Sequence, residues 1–327
     1  MNGPGDRSLR VSVVMATCNG SRFVAAQLQS ILAQTRPPDE VLVFDDASTD
    51  DTAAVVTSLL DASPVPGRVV INESRVGISA NFEQAIRGAS GDVIALADQD
   101  DVWHPAKLAT IVSAFTRRPD LGATFTDATL IDGEGRPLQG GLWWQVGMTA
   151  ADVQRFAQGR GLEVLLRQNV VTGATMAFHA RLRDLVVPFP DTGFHDAWIG
   201  LLAAAVSPVE AIAEPLIAYR LHGGNAAGLP ARRLLARIAA RRRRGRVHES
   251  AAAFYEAALI RLDEHGALNA PGRSALAAKN DLLRFRQGLS RNPLRRLVPV
   301  TARAMHGDYR RFSREGPRSA VYDVLYG

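Results

Sequence analysis

Val93-Ile94-Ala95-Leu96-Ala97-Asp98-Gln99-Asp100-Asp101 is the stretch on which the reading of this 327-residue chain turns. Five apolar residues in a row read as a buried strand, and three carboxylates in the next four residues stand at its end. Charges in such a place are costly unless a partner or a cation holds them. In extended chain, residues two apart point the same way, so Asp98 and Asp100 can face one ion. Carboxylate oxygens suit Mg²⁺ or Mn²⁺, and Mg²⁺ commonly sits between one or two carboxylates and substrate phosphates. A solvated acidic turn capping the next helix is the alternative.

Working outward, the preceding ninety residues alternate strands and helices. Val11 to Met15 reads as a strand. A helix from about Ser21, its expected N-cap, carries Val24, Leu28, Ile31 and Leu32 on one stripe and stops before Pro37-Pro38. Val41 to Phe44 reads as a second strand ending in Asp45 and Asp46. Ser48 is the expected cap of a helix with Val55, Val56, Leu59 and Leu60. Val69 to Ile71 is a third strand, followed by a helix from Ser79 that buries Phe82, Ile86 and Ala89. Repeated strand–helix units with near-continuous apolar strands predict an α/β fold with a mostly parallel sheet flanked by helices. Ligands of such sheets bind at the carboxyl ends of the strands. Asp45, Asp46, Asp98, Asp100 and Asp101 all stand there. For Asp45 and Asp46 the readings are a nucleotide contact or a cap of the following helix.

Composition sets further limits. The chain is 46% hydrophobic and 22% charged, as in globular proteins. A single cysteine, Cys18, excludes an intrachain disulfide and a cysteine-rich metal site and suits a reducing cytoplasm. No signal peptide and no membrane span are expected; Trp198 to Val206 is too short. Residues 1–225 hold 17 Lys and Arg against 25 Asp and Glu, and residues 226–327 hold 21 against 8. That split predicts two regions, 1–225 and a basic, mainly helical 226–327, with the boundary near Gly223 to Pro230. Arg232 to Arg246 reads RRLLARIAARRRRGR, with Leu234, Leu235 and Ile238 as a short apolar stripe. Its readings are a solvated helix or an anionic membrane surface, with nucleic acid far behind.

Four ordered runs, VSVVMATCNGSRFVAAQLQSILAQT, DEVLVFDDASTDDT, NESRVGISANFEQAI and GDVIALADQDDVWHPAKL, resemble glycosyltransferase family 2. The likeness continues through NVVTGATMAF, FHDAWIGLLAA and YRLHGGNAAG, so it covers roughly residues 10–225. The strings DQDDVWHP and HDAW are most similar to its rhamnosyltransferase-like branch. The resemblance implies a GT-A fold and inverting transfer of a sugar, dTDP- or UDP-linked, to a glycan or lipid-linked acceptor. Bacterial surface polysaccharide synthesis is the implied setting, on the cytoplasmic side and peripheral at the inner face of the cell membrane. By position, Asp98 and Asp100 fall on its metal-and-diphosphate motif, and Asp45 and Asp46 beside the base and ribose. Ala16, Thr17 and Asn19 fall on the loop lining the nucleotide, where Cys18 replaces a common aromatic. His222 falls on a metal or diphosphate contact. Asp196 falls on the catalytic base, with Gly173 and Trp198 on the acceptor side.

The chemistry explains these residue types. A sugar hydroxyl is a weak nucleophile, so a placed carboxylate must take its proton. The departing diphosphate gains charge, which a divalent cation, Mg²⁺ or Mn²⁺, stabilises. From spacing alone Asp196 reads equally as the cap of the apolar run after it, Gly173 as a turn former, and Trp198 as core. Trp143 and Trp144 cannot both face one core along a strand; one is expected inside and the other exposed, with sugar stacking as the alternative. Two other functions remain open: a metal-dependent sugar nucleotidyltransferase, which wants a Gly-rich loop after the first strand, and a non-catalytic sugar-binding or scaffold protein.

Overall fold

A computed structural model describes residues 8–223, 244–267, 270–290 and 292–326. The first half of the chain runs β1 (Val11–Thr17), α1 (Val24–Leu32), β2 (Glu40–Asp45), α2 (Thr52–Asp61), β3 (Gly67–Ile71), α3 (Ile78–Gly88), β4 (Val93–Ala97), β5 (Val102–Trp103), α4 (Lys107–Arg117), β6 (Ala123–Ile131) and β7 (Pro137–Gly141). Then follow α5 (Leu142–Val146), α6 (Ala150–Ala157), α7 (Gly161–Leu165), β8 (Met176–His179), α8 (Arg183–Val186), α9 (His195–Val206) and β9 (Val209–Arg220). The C-terminal helices are α10 (Arg244–Glu264), α11 (Ala270–Gln287), α12 (Pro293–Met305), α13 (Asp308–Phe312) and α14 (Pro317–Tyr326).

The chain divides into two compact units. One gathers residues 1–144, 171–189 and 210–225; the other gathers 145–170, 190–209 and 226–327. The first unit holds a sheet of order β3-β2-β1-β4-β8-β6-β9-β5, with β7 beside β6. Pairings among β3, β2, β1 and β4 are parallel, and β8 joins β4 antiparallel, so the sheet is mixed. Every residue of β4 is fully buried, as are Val11, Val13, Val14 and Met15 of β1. Val24, Leu28 and Ile31 of α1 and Phe82, Ala85 and Ile86 of α3 are also completely buried, completing a helix–sheet–helix core.

Two helix starts differ from expectation. Helix α1 begins at Val24 without a side-chain cap, because Ser21 sits in a turn where its N–H donates to Asp50 (3.1 Å). Helix α2 begins at Thr52, and Ser48 turns back instead, donating its hydroxyl to Asp45 (2.6 Å). Asp50 takes over the capping, accepting the Thr52 N–H at 3.1 Å.

The second unit is helical. Its core includes Phe156, Trp198, Leu262, Leu276, Tyr309 and Phe312. A buried polar group crosses it: Asp323 accepts from Arg286 Nε (2.6 Å) and from the Tyr309 hydroxyl (2.8 Å). Lys279 is buried there too and donates to the Phe312 carbonyl at 2.8 Å. No helix among the described residues is long and apolar enough to cross a membrane. Residues 224–243, which include Leu234, Leu235, Ile238 and Arg241 to Arg243, lie outside the described residues, so the basic stripe expected there has no structural counterpart to report.

Candidate functional site

Strands β1, β2 and β4 end side by side, and the short loops that follow them are tied together by side chains. Gln99, the residue between Asp98 and Asp100, accepts the Cys18 N–H (2.8 Å) and donates to the Cys18 carbonyl (3.1 Å). Thr17 donates its hydroxyl to Asp45 (2.8 Å), and the Asn19 N–H donates to Ser48 (2.8 Å). Asn19 and Ala47 both adopt left-handed φ values, 49° and 52°, which turn the chain back at these strand ends. The next two N–H groups, of Gly20 and Ser21, donate to Thr52 and Asp50. Four consecutive N–H groups of the loop after β1 are thus occupied by side chains. This is the opposite of a phosphate-cradling loop, whose N–H groups are turned to the ligand, and it argues against the nucleotidyltransferase reading.

Asp45 and Asp46 point to different tasks. Asp45 is buried and accepts from Ser48 N–H, Ser48 hydroxyl and Thr17 hydroxyl. Asp46 accepts the N–H groups of Val76 (2.7 Å) and Gly77 (2.9 Å), so it pins the entry to α3. Gly77 has φ 87°, the positive value a glycine tolerates at that turn. Asp50, capped by the Thr52 and Ser21 hydrogen bonds, is held down to about 2 although desolvation pulls the other way.

The acidic turn itself is held from the end of β9. Two-residue β5 pairs antiparallel with β9, Val102 opposite Ala218 and Trp103 opposite Ile217. That pairing brings Arg220 and His222 to the turn. The Arg220 N–H donates to the Asp101 carboxylate (2.9 Å), and its Nε donates to the Asp100 carbonyl (2.7 Å). Its Nη1 reaches the Asp132 carbonyl at 3.1 Å. Arg220 is 6% exposed, and its guanidinium lies 4.8 Å from the Phe23 ring centroid. His222 Nε2 stands 2.8 Å from Asp100 Oδ2, and its imidazole packs on Phe23 with centroids 4.9 Å apart. Asp98, Asp100 and His222 are all half-buried.

Beneath this turn two ionisable groups are buried. Asp101 has its carboxyl pushed well above the usual range, first by desolvation and then by Asp98 and Asp100. Lys107 is held well below its usual value by burial. Its Nζ donates to the Ala174 carbonyl (2.8 Å) and lies 3.5 Å from the Trp103 ring centroid. Ala174 belongs to the 3₁₀ turn Gly173–Thr175 that leads into β8, so Lys107 joins the acidic turn to the Gly173 segment.

The remaining expected residues fall as follows. Ala16, half-buried, and Thr17, buried, lie at the end of β1 rather than on the loop, and Asn19 is exposed on the loop that follows. Asp196 lies in the first turn of α9, in the second unit, with Oδ1 accepting the Ala197 N–H at 2.5 Å. Neighbouring His195 is buried, and desolvation lowers its pKa to about 4. Trp198, expected on the acceptor side, is 1% exposed and packs edge-on against Phe254. A ring so enclosed cannot touch an acceptor, so its part is core packing. Trp143 is buried and donates to the Thr126 carbonyl (3.0 Å), whereas Trp144 is 53% exposed. Arg220, Gln99 and Lys107 were not anticipated; the only sequence sign was the adjacency of Arg220 to His222.

A mixed sheet whose parallel half ends in an acidic turn, with helices on both faces, is the GT-A fold. Residues 12–161 match the family described as Glycosyl transferase family 2. An uncharacterized glycosyltransferase of Nostoc sp. is 26% identical over 229 residues, 66% of each chain. The Escherichia coli UDP-Glc:alpha-D-GlcNAc-diphosphoundecaprenol beta-1,3-glucosyltransferase is 34% identical over 103 residues, 32% of this chain and 40% of that one. The matched stretches therefore span just under two thirds of the first relative and well under half of the second. The crystal structure of Staphylococcus aureus TarS 1-349 with UDP-GlcNAc overlays 97% of this chain and 88% of its own at a TM-score of 0.60 and 15% identity, a likeness of fold.

Proposed function

We propose that this protein transfers a sugar, with inversion, from a nucleoside-diphosphate sugar to a hydroxyl of a glycan or lipid-linked acceptor in bacterial surface polysaccharide synthesis. The observation that carries the reading is the Asp100–His222 pair, 2.8 Å apart and braced through Arg220 at the end of the parallel strands. Among the described residues no cluster of three or more His, Cys, Asp or Glu side chains is preassembled for a metal. The donor set nevertheless fits one: two half-buried carboxylates on a turn fixed from behind, and a half-buried imidazole brought to it from the end of β9. Asp98, Asp100 and His222 would hold Mn²⁺ or Mg²⁺, which when bound neutralises charge on the departing diphosphate. Asp45 would steady the nucleotide end from beneath, through Thr17 and Ser48, with the β1 end and loop Ala16 to Asn19 shaping it, and the Gly173 segment would shape the acceptor end.

Asp196 is the proposed base. The N-terminus of α9 favours a negative charge in its first turn. Its carboxylate takes the proton of the acceptor hydroxyl as that oxygen bonds to the anomeric carbon, and the bond to the diphosphate breaks on the opposite face. The UDP-Glc donor named for the Escherichia coli relative favours a UDP-sugar over a dTDP-sugar. A rhamnosyl donor is proposed only on the DQDDVWHP and HDAW strings.

The deciding experiment is calorimetry of UDP binding with and without Mn²⁺. Asp100→Asn and His222→Ala are each expected to remove the metal-dependent part of the affinity. Unchanged metal-dependent affinity in Asp100→Asn would end this reading. A thermal-shift screen against UDP- and dTDP-sugars then selects the donor.

A further inference from the structure

Helices α12 and α14, both in the helical unit, leave an apolar face uncovered. Leu294, Leu297, Val298 and Met305 of α12 and Val321 and Leu325 of α14 are all more than half exposed. With Tyr326 they make up seven of the fourteen large apolar side chains exposed among the described residues, within two helices of 23 residues together. Single exposed apolar residues are ordinary; a cluster of this kind marks an interaction surface. The spacing places them on one side of each helix: 294, 297, 298 and 305 on α12, and 321 and 325 on α14. Between the two stripes runs a groove of about 490 Å³, lined by Leu297, Val300, Met305, Ala320, Val321 and Leu325 among others.

The charge around this face selects the occupant. Helix α12 has no acidic residue, and the one acid of α14, Asp323, is buried against Arg286 and Tyr309. Arg303 of α12 is occupied by Asp281 (2.6 Å) and Asp308 (3.0 Å), and Arg296 is buried. Arg295 and Arg318 remain exposed, Arg295 beside Leu294 and Val298, and Arg318 one turn before Val321. Within these two helices the exposed charges beside the apolar stripe are arginines, and such a stripe fits the boundary between the head groups and acyl chains of an anionic bilayer. A second copy docked on the same face would bring the same arginines together. The run Arg232 to Arg246 would be repelled in the same way.

We infer that the α12–α14 face is a docking surface for anionic phospholipid membranes, with the apolar stripe entering the interface and Arg295 and Arg318 meeting the head groups. This stands apart from the proposed transfer chemistry: none of its residues belongs to the candidate site, so either reading can fail alone.

The test is co-sedimentation of the full chain with vesicles of phosphatidylcholine alone and of phosphatidylcholine mixed with phosphatidylglycerol, at low and high salt. The parent is expected to bind the mixed vesicles, less at high salt. Arg295→Ser with Arg318→Ser should weaken that binding about 25-fold, from roughly a factor of five for each arginine near the surface. Val298→Glu with Leu325→Glu should abolish it, whereas Ile71→Glu, an exposed apolar residue of the other unit, should not. Leu294→Gln, at 82% exposed, serves if the double glutamate variant does not fold. The inference is overturned if the parent ignores anionic vesicles, or if the face variants bind like the parent. It is equally overturned if sedimentation shows the parent pairing with itself through this face without binding vesicles.

Discussion

Replacing Arg220 with methionine tests whether the acidic turn is held from β9. The guanidinium supplies two hydrogen bonds, to the carbonyls of Asp100 (2.7 Å) and Asp132 (3.1 Å), and a stacking contact on Phe23. Hydrogen bonds from a charged donor are worth about 1.5–3 kcal/mol each. Burying the cation offsets part of that, and methionine fills the apolar stem. Taking the low end for both bonds gives a net loss of about 3 kcal/mol. At roughly 2–4 °C per kcal/mol for a domain of this size, the melting temperature should fall by about 6–12 °C. The second readout is UDP affinity in the presence of Mn²⁺, which should weaken about tenfold or more, equivalent to about 1.4 kcal/mol, because Asp100 loses the anchor of its main chain. Arg220→Lys keeps the charge but not the planar fork, and should fall between methionine and the parent. A methionine variant that melts within about 2 °C of the parent and binds UDP equally well would refute the reasoning. A variant that loses stability but binds UDP unchanged would show that Arg220 supports the fold and does not set the turn.

Asp196→Asn should cut sugar transfer by about 10²–10⁴-fold while leaving UDP affinity near that of the parent; near-parental turnover in a variant that still binds UDP would remove Asp196 as base. His195, held to about 4 by burial, is expected to make the protein weaker in acid. The unfolded chain takes up a proton at this residue below about pH 6.5 but the native state only below about 4, so stability should fall by about 3 kcal/mol as pH drops through that window. Urea unfolding at the two ends of the window, in the parent and in His195→Asn, measures the difference; equal pH dependence would refute it. Lys279 is lowered to about 7 by burial and by Arg286, so the unfolded chain holds the extra proton between about pH 7 and 10.5 and stability should rise with pH across that range. Lys279→Met should flatten that rise in the same unfolding measurement, and an unflattened slope would contradict it.

The parallel half of the sheet was legible because its strands are buried on both faces. Val93 to Ala97 is a continuous apolar run and Val11 to Met15 is broken only by the buried Ser12, and no solvated helix would carry them. The stripe of α1 was legible for the same reason: Val24, Leu28 and Ile31 are fully buried. Gathering the acids at strand ends followed from the topology. The pairing of β5 with β9 was not legible, since two residues carry no periodicity and their partners lie more than a hundred positions away. With it went the role of Arg220, whose side chain matters only once β9 has delivered it. Ser21 and Ser48 misled as caps because a hydroxyl near a helix start has competitors. Ser48 was claimed by Asp45, and Asp50 capped α2 in its place. Spacing read Trp198 as core and it is buried against Phe254; its place on the acceptor side came from the resemblance.

Gln99 gives the Asp-x-Asp motif a dependence on a distant glycine. Its amide occupies the space where a side chain at position 20 would begin: a Cβ built on Gly20 would lie 2.1 Å from Gln99 Oε1. The middle residue of the motif is therefore no mere spacer, and the loops after β1 and β4 are constrained as a pair. A graft of Asp98 to Asp101 into a related scaffold would carry its geometry only if a glycine came with it at the position facing residue 99. A side chain at position 20 would push the Gln99 amide away from Cys18, and the loop after β1 would then lose its hold on the acidic turn.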